Sequence, residues 1–535
     1  MVQQIDRPAG FNRATFFRRR GQGQSQAMTN NNTGNICPKV DFLQINLHHC
    51  IAAMQNFNER VFSSKTEKIC LVQEPYLARN RISGIHKDLK VISGTGNKPR
   101  ACIVTTPGIQ YWVLTQFTDS DQVAIIVKCD GKYVVIASLY LPGLPESVTA
   151  PPTKNFRDLV AYCERYNYGL IVGTDANSHH TVWGSTDTNA RGEHLLDYIL
   201  SRNLHVANVG NAPTYQNIRG KEVLDLTLLS NHTLDLISGW KVSDTESLSD
   251  HNYIEFTLNS AVKVNEKYFR NIKKTDWGLY NEKVKEGMAL IADLNLDLNT
   301  KAKYLNKVYL SAFHDSCRLS RVGNGKKPPW WTHDLTNLKK EVNKARRKMK
   351  RNPTPDRVET YTKTRRTYKN EVKWAKSKGW RDFCTDLKDM TTTARLQRIL
   401  KLGKRQEIGN LKKSDGTYTE TPSETVNLLM DIHFPKRTIN IDSNDTDTIA
   451  DTNNRLNIEE VINESAVKAS ITSFKPYKSP GTDGIFPVLL QKSLDSTLSY
   501  ITNLYRLCLK EGKTPAAWLD SKISFIPKPG KTDYG

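Results

Sequence analysis

Tyr168-Gly-Leu-Ile-Val172 runs directly into Gly173-Thr-Asp-Ala-Asn-Ser-His-His180. A short apolar run followed by small and polar residues reads as a buried strand, so Asp175 and Asn177 arrive at its C-terminal end, where α/β proteins gather their chemistry. On an extended backbone a carboxylate and a carboxamide two residues apart point to one side. One can take a proton from water while the other holds that water or a phosphate oxygen. Taken alone, the octapeptide is equally an Asx-rich turn that closes a strand, so the surrounding chain decides.

Around this stretch, between Val40 and about Asn259, strand-like and helical patterns alternate. Strands are expected at Phe42–Leu47, Ile69–Gln73, Ala101–Thr105, Val123–Cys129, Tyr133–Leu139, Leu170–Gly173, Leu224–Leu229 and Ile254–Leu258. Helices are expected at Cys50–Phe62, Asn155–Tyr166 and Gly192–Arg202. Asp130-Gly131 is a hairpin signal between two of the strands, which makes them antiparallel neighbours. The pattern is mixed α/β, with too much antiparallel content for a purely parallel doubly wound fold.

The whole chain has 535 residues, enough for two to four domains. It carries 77 Lys and Arg against 55 Asp and Glu, a formal net charge of +22, and this excess favours a polyanionic partner, nucleic acid or an anionic membrane surface. No apolar run reaches the roughly 18 residues of a spanning helix, and no membrane partner is expected. Residues 1–20 lack the order of a secretory signal, so secretion is not expected. Nine scattered cysteines form no C-x-x-C pair and read as reduced, buried thiols of an intracellular protein.

Residues 1–36 are rich in Arg, Gln, Asn and Gly and read as a disordered basic arm. The α/β region covers 37–260, and the character changes over 261–436. Leu335, Leu338, Val342, Ala345 and Met349 form one apolar helical seam, and between Leu338 and Arg351 eight Lys or Arg stand against one Glu. After Asn352-Pro-Thr-Pro-Asp356 a second helix is expected to return along the first through Tyr361, Tyr368, Val372, Ala375, Phe383 and Leu387. Basic faces interleaved with Tyr361, Tyr368, Trp374 and Trp380 suit nucleic acid; the simpler reading is a solvated helix face. Residues 437–457 read as a polar linker, and 458–535 as the start of a further domain that the chain leaves unfinished at its Lys-Pro-Gly-Lys turn.

Several polar residues fall at the ends of the expected strands: Asn46, Glu74, Tyr140, Asp225 and the group Ser249-Asp250-His251. Each alone reads as a turn residue, a cap or a half-buried side chain. Together with Asp175 and Asn177 they supply what phosphodiester hydrolysis requires: a cation on the phosphate, a deprotonated water and donors for the developing charge. Glu74 is a hard oxygen ligand suited to magnesium, with Asp250 as the second. Asp175 is the base or water-orienting group, and Asn177 and Asn46 fix water or phosphate. Asp225 accepts from one ring nitrogen of His251 and leaves the other facing the phosphate. Tyr140 donates its hydroxyl to a phosphate oxygen. Two His-His pairs, 48–49 and 179–180, invite zinc, but adjacent residues on a strand point to opposite faces.

In order along the chain, Asn46, Gln73-Glu-Pro75, Ser138-Leu-Tyr-Leu-Pro142, Gly173-Thr-Asp-Ala-Asn177, Pro213-Thr-Tyr215, Leu224-Asp-Leu-Thr227 and Ser249-Asp-His251 resemble the endonuclease-exonuclease-phosphatase superfamily. Trp183-Gly184 and Asn189-Ala-Arg-Gly192 look like its branch in non-LTR retrotransposons, of the jockey-like and rDNA-inserting insect type, which is similar to apurinic endonucleases. The resemblance covers about residues 40–258. It implies a DNase I-like four-layer α/β sandwich with Asp175, Asn177, His251, Asp225, Tyr140 and Asn46 as catalytic residues, Glu74 and Asp250 as metal contacts, and magnesium, or manganese in its place, as cofactor. His48 departs from the pattern, since many apurinic endonucleases carry an aspartate there.

Downstream, Pro328-Pro-Trp-Trp331, the basic hairpin and Ala394-Arg-Leu-Gln-Arg-Ile-Leu400 look like the basic helical connector of such elements. Ser479-Pro-Gly-Thr-Asp-Gly-Ile485 and Trp518 with Ile523–Lys531 resemble the N-terminal part of a reverse transcriptase domain. No Ala-Asp-Asp type motif for polymerase metals occurs before Gly535, so the chain is expected to nick but not to copy. The resemblance implies an endonuclease that nicks target DNA and leaves a 3′-hydroxyl primer for target-primed reverse transcription. Its partners would be duplex DNA and, through the connector, element RNA; its place the nucleus, after cytoplasmic transit. Two alternatives stand beside it: a phosphatase or lipid phosphodiesterase of the same superfamily, and a catalytically inactive nucleic-acid-binding remnant.

Overall fold

The computed structural model describes residues 39–526 apart from 65, 95–97, 144–150, 218–219, 263–267, 293, 322–327, 388, 403–407 and 436–456. The basic arm expected over 1–36, and the polar linker expected over 437–457 save its last residue, lie outside the described residues. These fall into two compact units, 39–262 with 328–435 in one and 268–321 with 457–526 in the other.

The first unit is built on two six-stranded sheets. One runs in the order Ile237–Val242, Ile254–Leu258, Val40–Asn46, Glu67–Gln73, Ala101–Thr105, Lys90–Ser93. The other runs Leu204–Val206, Asp225–Ser230, Gly169–Asp175, Lys132–Tyr140, Gln122–Cys129, Trp112–Val113. Each has one parallel pairing at its centre, Val40–Asn46 with Glu67–Gln73 and Gly169–Asp175 with Lys132–Tyr140, and is otherwise antiparallel. The hairpin expected at Asp130-Gly131 is present: Cys129 pairs with Lys132, and the two turn residues have φ of 44° and 86°.

Alternation along the strands sorts the side chains into layers. Phe42, Ile69, Leu71 and Ile103 of the first sheet meet Val123, Ile125, Val134, Ile136 and Ile171 of the second in a core between the sheets. The intervening residues face outward. Leu43, Ile45, Cys70 and Val72 pack under the helix Ile51–Ser63, through its Ala53, Met54 and Phe57. Val135, Ala137, Leu139, Leu170 and Val172 pack under the helices Lys154–Tyr166 and Ala190–Ser201. The result is helix, sheet, sheet, helix, the four layers expected. Gly173 lets the sheets approach, since a Cβ there would stand 2.6 Å from Leu71 and 2.8 Å from the Gln44 amide. All eight expected strands are present. The four further strands of these two sheets, Lys90–Ser93, Trp112–Val113, Leu204–Val206 and Ile237–Val242, occupy the four sheet edges, where short strands paired on one side give little alternating signal.

The segment read as one connector, 261–436, is split in the structure, because its apolar seams serve two different cores. Residues 328–435 belong to the unit just described. The helices His333–Arg351 and Pro355–Thr385 form the expected hairpin, and Leu335, Val342, Tyr368, Val372 and Ala375 bury themselves in the cluster beneath the helix Ile51–Ser63. Phe383, expected on that seam, is exposed. Beyond the hairpin, Asn410 N donates to Val113 O at 3.2 Å, and the Trp112 indole donates to the Asn410 side chain. Residues 268–321 instead pack with the C-terminal helices: Tyr280, Val284, Tyr309 and Phe313 share a core with Val467, Leu489, Ile501 and Leu504. Among the described residues no helix is long and apolar enough to cross a membrane.

The hairpin is also tied down by charge. Glu246, 1 % exposed, accepts from Arg346 Nη1 at 3.1 Å, from Arg365 Nε at 3.0 Å and from the Tyr361 hydroxyl. Burial alone would raise the Glu246 carboxyl, but the two guanidinium groups outweigh it and hold the carboxyl below its ordinary value. A depressed folded-state value contributes stability that is present above the unfolded carboxylate range, about pH 4.3, and is lost as pH falls through the folded value. Acid unfolding of wild type between about pH 4.3 and lower values is therefore expected to be steeper than that of Glu246→Gln. Equal acid slopes in denaturant titrations would contradict this.

Candidate active site

One row of three residues crosses the second sheet at its polar end. Asp175 ends its strand directly opposite Tyr140 on the parallel neighbour and opposite Asp225 on the antiparallel one. At the same end of the first sheet, Asn46 ends its strand opposite Gln73, and Glu74 follows with φ of 42°. The two sheets meet here, as Asn46 Nδ2 donates to Asp175 Oδ2 at 2.7 Å. The amide is fixed from its other side, since Asn46 Oδ1 accepts from His48 N at 2.7 Å. His251 lies on the loop before Ile254–Leu258, its ring 4.9 Å from that of Tyr215, and its Nδ1 is 2.8 Å from Asp225 Oδ2. A carboxylate only accepts, so Nδ1 carries the proton and Nε2 is the outward nitrogen.

Asp175, Asp225 and His251 are all buried, and their ligand atoms lie within 4.8 Å of one another. The electrostatics follow from crowding. Burial, with the nearby Asp225 and Glu74 charges, pushes the Asp175 carboxyl up to about 7, against the opposing pull of His251 and the Asn46 amide. Burial alone would lower the His251 imidazole, but the Asp225 carboxylate overcomes it and lifts the ring to about 9. Burial, then the charges of Glu74 and Asp175, push the Tyr140 hydroxyl well above its usual value, so it stays protonated as a donor. Asp225 Oδ1 is buried and has no hydrogen-bond partner. Three carboxylates beside one imidazole, with an orphaned carboxylate oxygen, fit a hard divalent cation nearby.

The other expected site residues are placed differently. Glu74 stands at the edge of the row, beside the Tyr140 hydroxyl and 3.9 Å from His49 Nε2. Asn177 is not on an extended backbone. The strand ends at Asp175, Asn177 has φ of 45°, and its Nδ2 donates to Leu141 O at 2.9 Å, so strand alternation does not aim it. Asp250 faces two nitrogen groups, His48 Nδ1 at 3.5 Å and Arg365 Nη2 at 3.7 Å. The His48 hydrogen bond holds its carboxyl below the usual range, with Arg365 and Lys369 adding to the effect against burial. Among the described residues neither Glu74 nor Asp250 belongs to a cluster of three close ligand atoms. His179 pairs with Asp187 at 2.6 Å and His180 accepts from Val182 N, so both organise a loop.

Residues 134–255, which contain Tyr140, Asp175, Asp225 and His251, match the family model described as endonuclease-reverse transcriptase. The retrovirus-related Pol polyprotein of type-1 retrotransposable element R1 from Bradysia coprophila is 23 % identical over 479 residues, which is 84 % of this chain and 47 % of that protein. A putative 115 kDa protein of element R1DM from Drosophila melanogaster is 24 % identical over 523 residues, 92 % of this chain and 49 % of that protein. Residues 134–255 thus resemble an endonuclease-reverse transcriptase sequence, and most of the chain is similar to proteins of type-1 retrotransposable elements. It spans about half the length of the curated relatives it matches, 47 % and 49 %. Among solved structures, the endonuclease domain of TRAS1, a telomere-specific non-LTR retrotransposon, is 27 % identical, covering 41 % of this chain and 98 % of that one with a TM-score of 0.35.

Some residues that build this site escape sequence reasoning. Gln44 Nε2 donates to Thr174 O and Leu226 O, at 3.2 and 3.1 Å, while its Oε1 accepts from Thr227 at 2.9 Å. Gln73 Nε2 donates to Gly173 O at 2.9 Å and to Ser138 Oγ at 3.1 Å. These buried amides cross between the sheets just behind Asn46 and Asp175; the signal was a glutamine inside each apolar run. Arg191, within the Asn189-Ala-Arg-Gly192 motif, donates to Asn177 O at 3.1 Å and Pro142 O at 3.0 Å, fixing the turn that carries Asn177. Arg100 forks onto Asp121 with two bonds of 2.6 Å and lies 5.0 Å over the Tyr140 ring.

Proposed function

We propose that this chain nicks duplex DNA by magnesium-dependent phosphodiester hydrolysis, leaving a 3′-hydroxyl and a 5′-phosphate. The observation that carries this is the pair of bonds Asn46–Asp175 and Asp225–His251 on adjoining strand ends, beside Glu74. Asp175, held by Asn46 and raised toward neutrality, takes the proton of the attacking water. As that oxygen bonds to phosphorus, the bond from phosphorus to the 3′-oxygen breaks, its electron pair stays on the 3′-oxygen, and that oxygen takes a proton from solvent water. His251, charged at neutral pH and anchored through Nδ1, offers Nε2–H to a phosphate oxygen where negative charge builds. Tyr140 donates a second hydrogen bond. Glu74 would hold the magnesium ion, which when bound polarises the scissile phosphate. Asp250, already paired with His48 and Arg365, acts beside the site as a charge partner rather than a ligand.

The free 3′-hydroxyl is the end from which a polymerase extends, which suits priming of reverse transcription at the target in the nucleus. Lys340, Lys344, Arg347, Lys348, Lys350 and Arg351 are exposed on the hairpin, and Trp374 and Trp380 are 54 % and 47 % exposed on its second helix. Such a surface binds phosphate backbones and stacks bases, in element RNA or in the target.

The test is a supercoiled plasmid incubated with the full chain and magnesium. Conversion to open circles that a DNA polymerase extends without prior phosphatase treatment is expected, and chelation of the metal should stop it. A plasmid that stays closed, or nicks that block extension, would refute the proposal.

A further inference from the structure

His251 owes its place to a short turn whose bonds lead into the helical hairpin. Its backbone N donates to Ser249 Oγ at 3.3 Å, and its carbonyl accepts from Ser247 Oγ at 2.6 Å. Ser249 Oγ in turn donates to Asn46 O at 2.8 Å, so one hydroxyl joins the backbones of Asn46 and His251. Within the turn, Leu248 is fully buried at φ of 63°, a left-handed conformation that costs a leucine about 1 kcal/mol or more. Its N–H is held at 2.8 Å by Glu246 Oε1.

The Arg365 guanidinium is the group that reaches both parts of this turn. Its Nε donates to Glu246 Oε1 at 3.0 Å and its Nη2 to Ser249 O at 2.9 Å. Around the same carboxylate, Arg346 Nη2 bonds Asn252 Oδ1 at 2.5 Å, and Asn343 Oδ1 accepts from Glu246 N at 2.8 Å. The turn is thus gripped on both sides of His251 by side chains of the hairpin. A planar fork with donors in two directions can hold a carboxylate and a carbonyl at once, which an ammonium cannot do in the same geometry.

We propose that Arg365 is a positioning residue for catalysis, which through Glu246 and Ser249 fixes the turn so that His251 stays bonded to Asp225 with Nε2 turned outward. The hairpin thereby becomes part of the catalytic apparatus rather than a tether behind it. This rests on the nuclease reading of the site. A group displaced by about an ångström can lose roughly a hundredfold in rate, and binding of DNA, which does not pass through this turn, should be untouched.

The experiment measures kcat and KM for plasmid nicking by the full chain in Arg365→Lys, Arg365→Met and Tyr361→Phe, with His251→Ala as reference. If wild type nicks and His251→Ala does not, the nuclease reading holds and the positioning role is tested separately. Arg365→Lys keeps the charge beside Glu246, so it should fold as wild type does yet lose about ten- to a hundredfold in kcat with KM unchanged. Tyr361→Phe removes one bond from the Glu246 carboxylate and no charge. It should remain folded and lose about two- to fivefold in kcat, which keeps the test open if Arg365→Met fails to fold. Wild-type kcat in both folded variants, or a raised KM at constant kcat as for a DNA contact, would overturn the proposal.

Discussion

Asp175→Asn is expected to slow plasmid nicking by about 10²- to 10⁴-fold while leaving the protein as stable as wild type or more so. The carboxylate is buried, and its charged form is disfavoured by burial and by Asp225 and Glu74. An asparagine removes that opposition, and its side-chain oxygen still accepts from Asn46 Nδ2. What it cannot do is take a proton from water. Activity and stability should therefore move apart at this position, as they do where a strained site is kept for function. His251→Ala should also abolish nicking, but it strips Asp225, 1 % exposed, of its imidazole partner and should lower the melting temperature as well. Single-turnover nicking and thermal melts on both variants check the contrast. An Asp175→Asn protein that nicks within tenfold of wild type would remove Asp175 from the mechanism.

Arg346→Met is expected to destabilise the larger unit by about 3–5 kcal/mol, the usual cost of removing one partner from a buried ion pair. Arg346 and Glu246 are 5 % and 1 % exposed at their side chains, so solvent cannot take over the lost contact. The same change strips Asn252 Oδ1 of its Arg346 donor. Arg365 and Tyr361 still face Glu246 and should keep the loss below that of an isolated carboxylate. Adding Glu246→Gln should return part of the stability, because the charge left behind is then gone. Denaturant unfolding of the full chain should show two transitions, one for each unit, with only one of them shifted. A shift under 1 kcal/mol would mean that the clasp is solvated in solution.

Much of the first unit was legible in sequence because a central strand is apolar on both faces and a polar residue at its end stands out. Asn46, Asp175 and Asp225 each mark such an end, and the fold draws them into one bonded set with His251. The edge strands were not legible, since a strand such as Ile237–Val242 is half exposed and lacks the apolar run. Asn177 was aimed by strand alternation, but a left-handed residue breaks that rule as soon as the strand stops. Asp250 was read as a ligand because carboxylates near a phosphodiesterase histidine invite metal. Its neighbours in the fold are His48, just after Asn46, and Arg365, from a helix far along the chain. Likewise the seam of His333–Arg351 announced a buried helix without saying which surface would bury it.

A purely apolar interface between the two sheets would hold them together yet let them slide, because hydrophobic contact has no direction. The amides of Gln44 and Gln73 remove that freedom, since each bonds carbonyl oxygens of the opposite sheet at fixed positions. Half of the site stands on each sheet, so catalysis depends on their alignment to within a hydrogen bond. Sequence change in this protein is thus constrained unevenly. Between the sheets, volume-conserving aliphatic exchanges cost little, whereas a leucine in place of Gln44 is expected to remove its bonds to Thr174 O, Leu226 O and Thr227 and to loosen the alignment that brings Asn46 to Asp175.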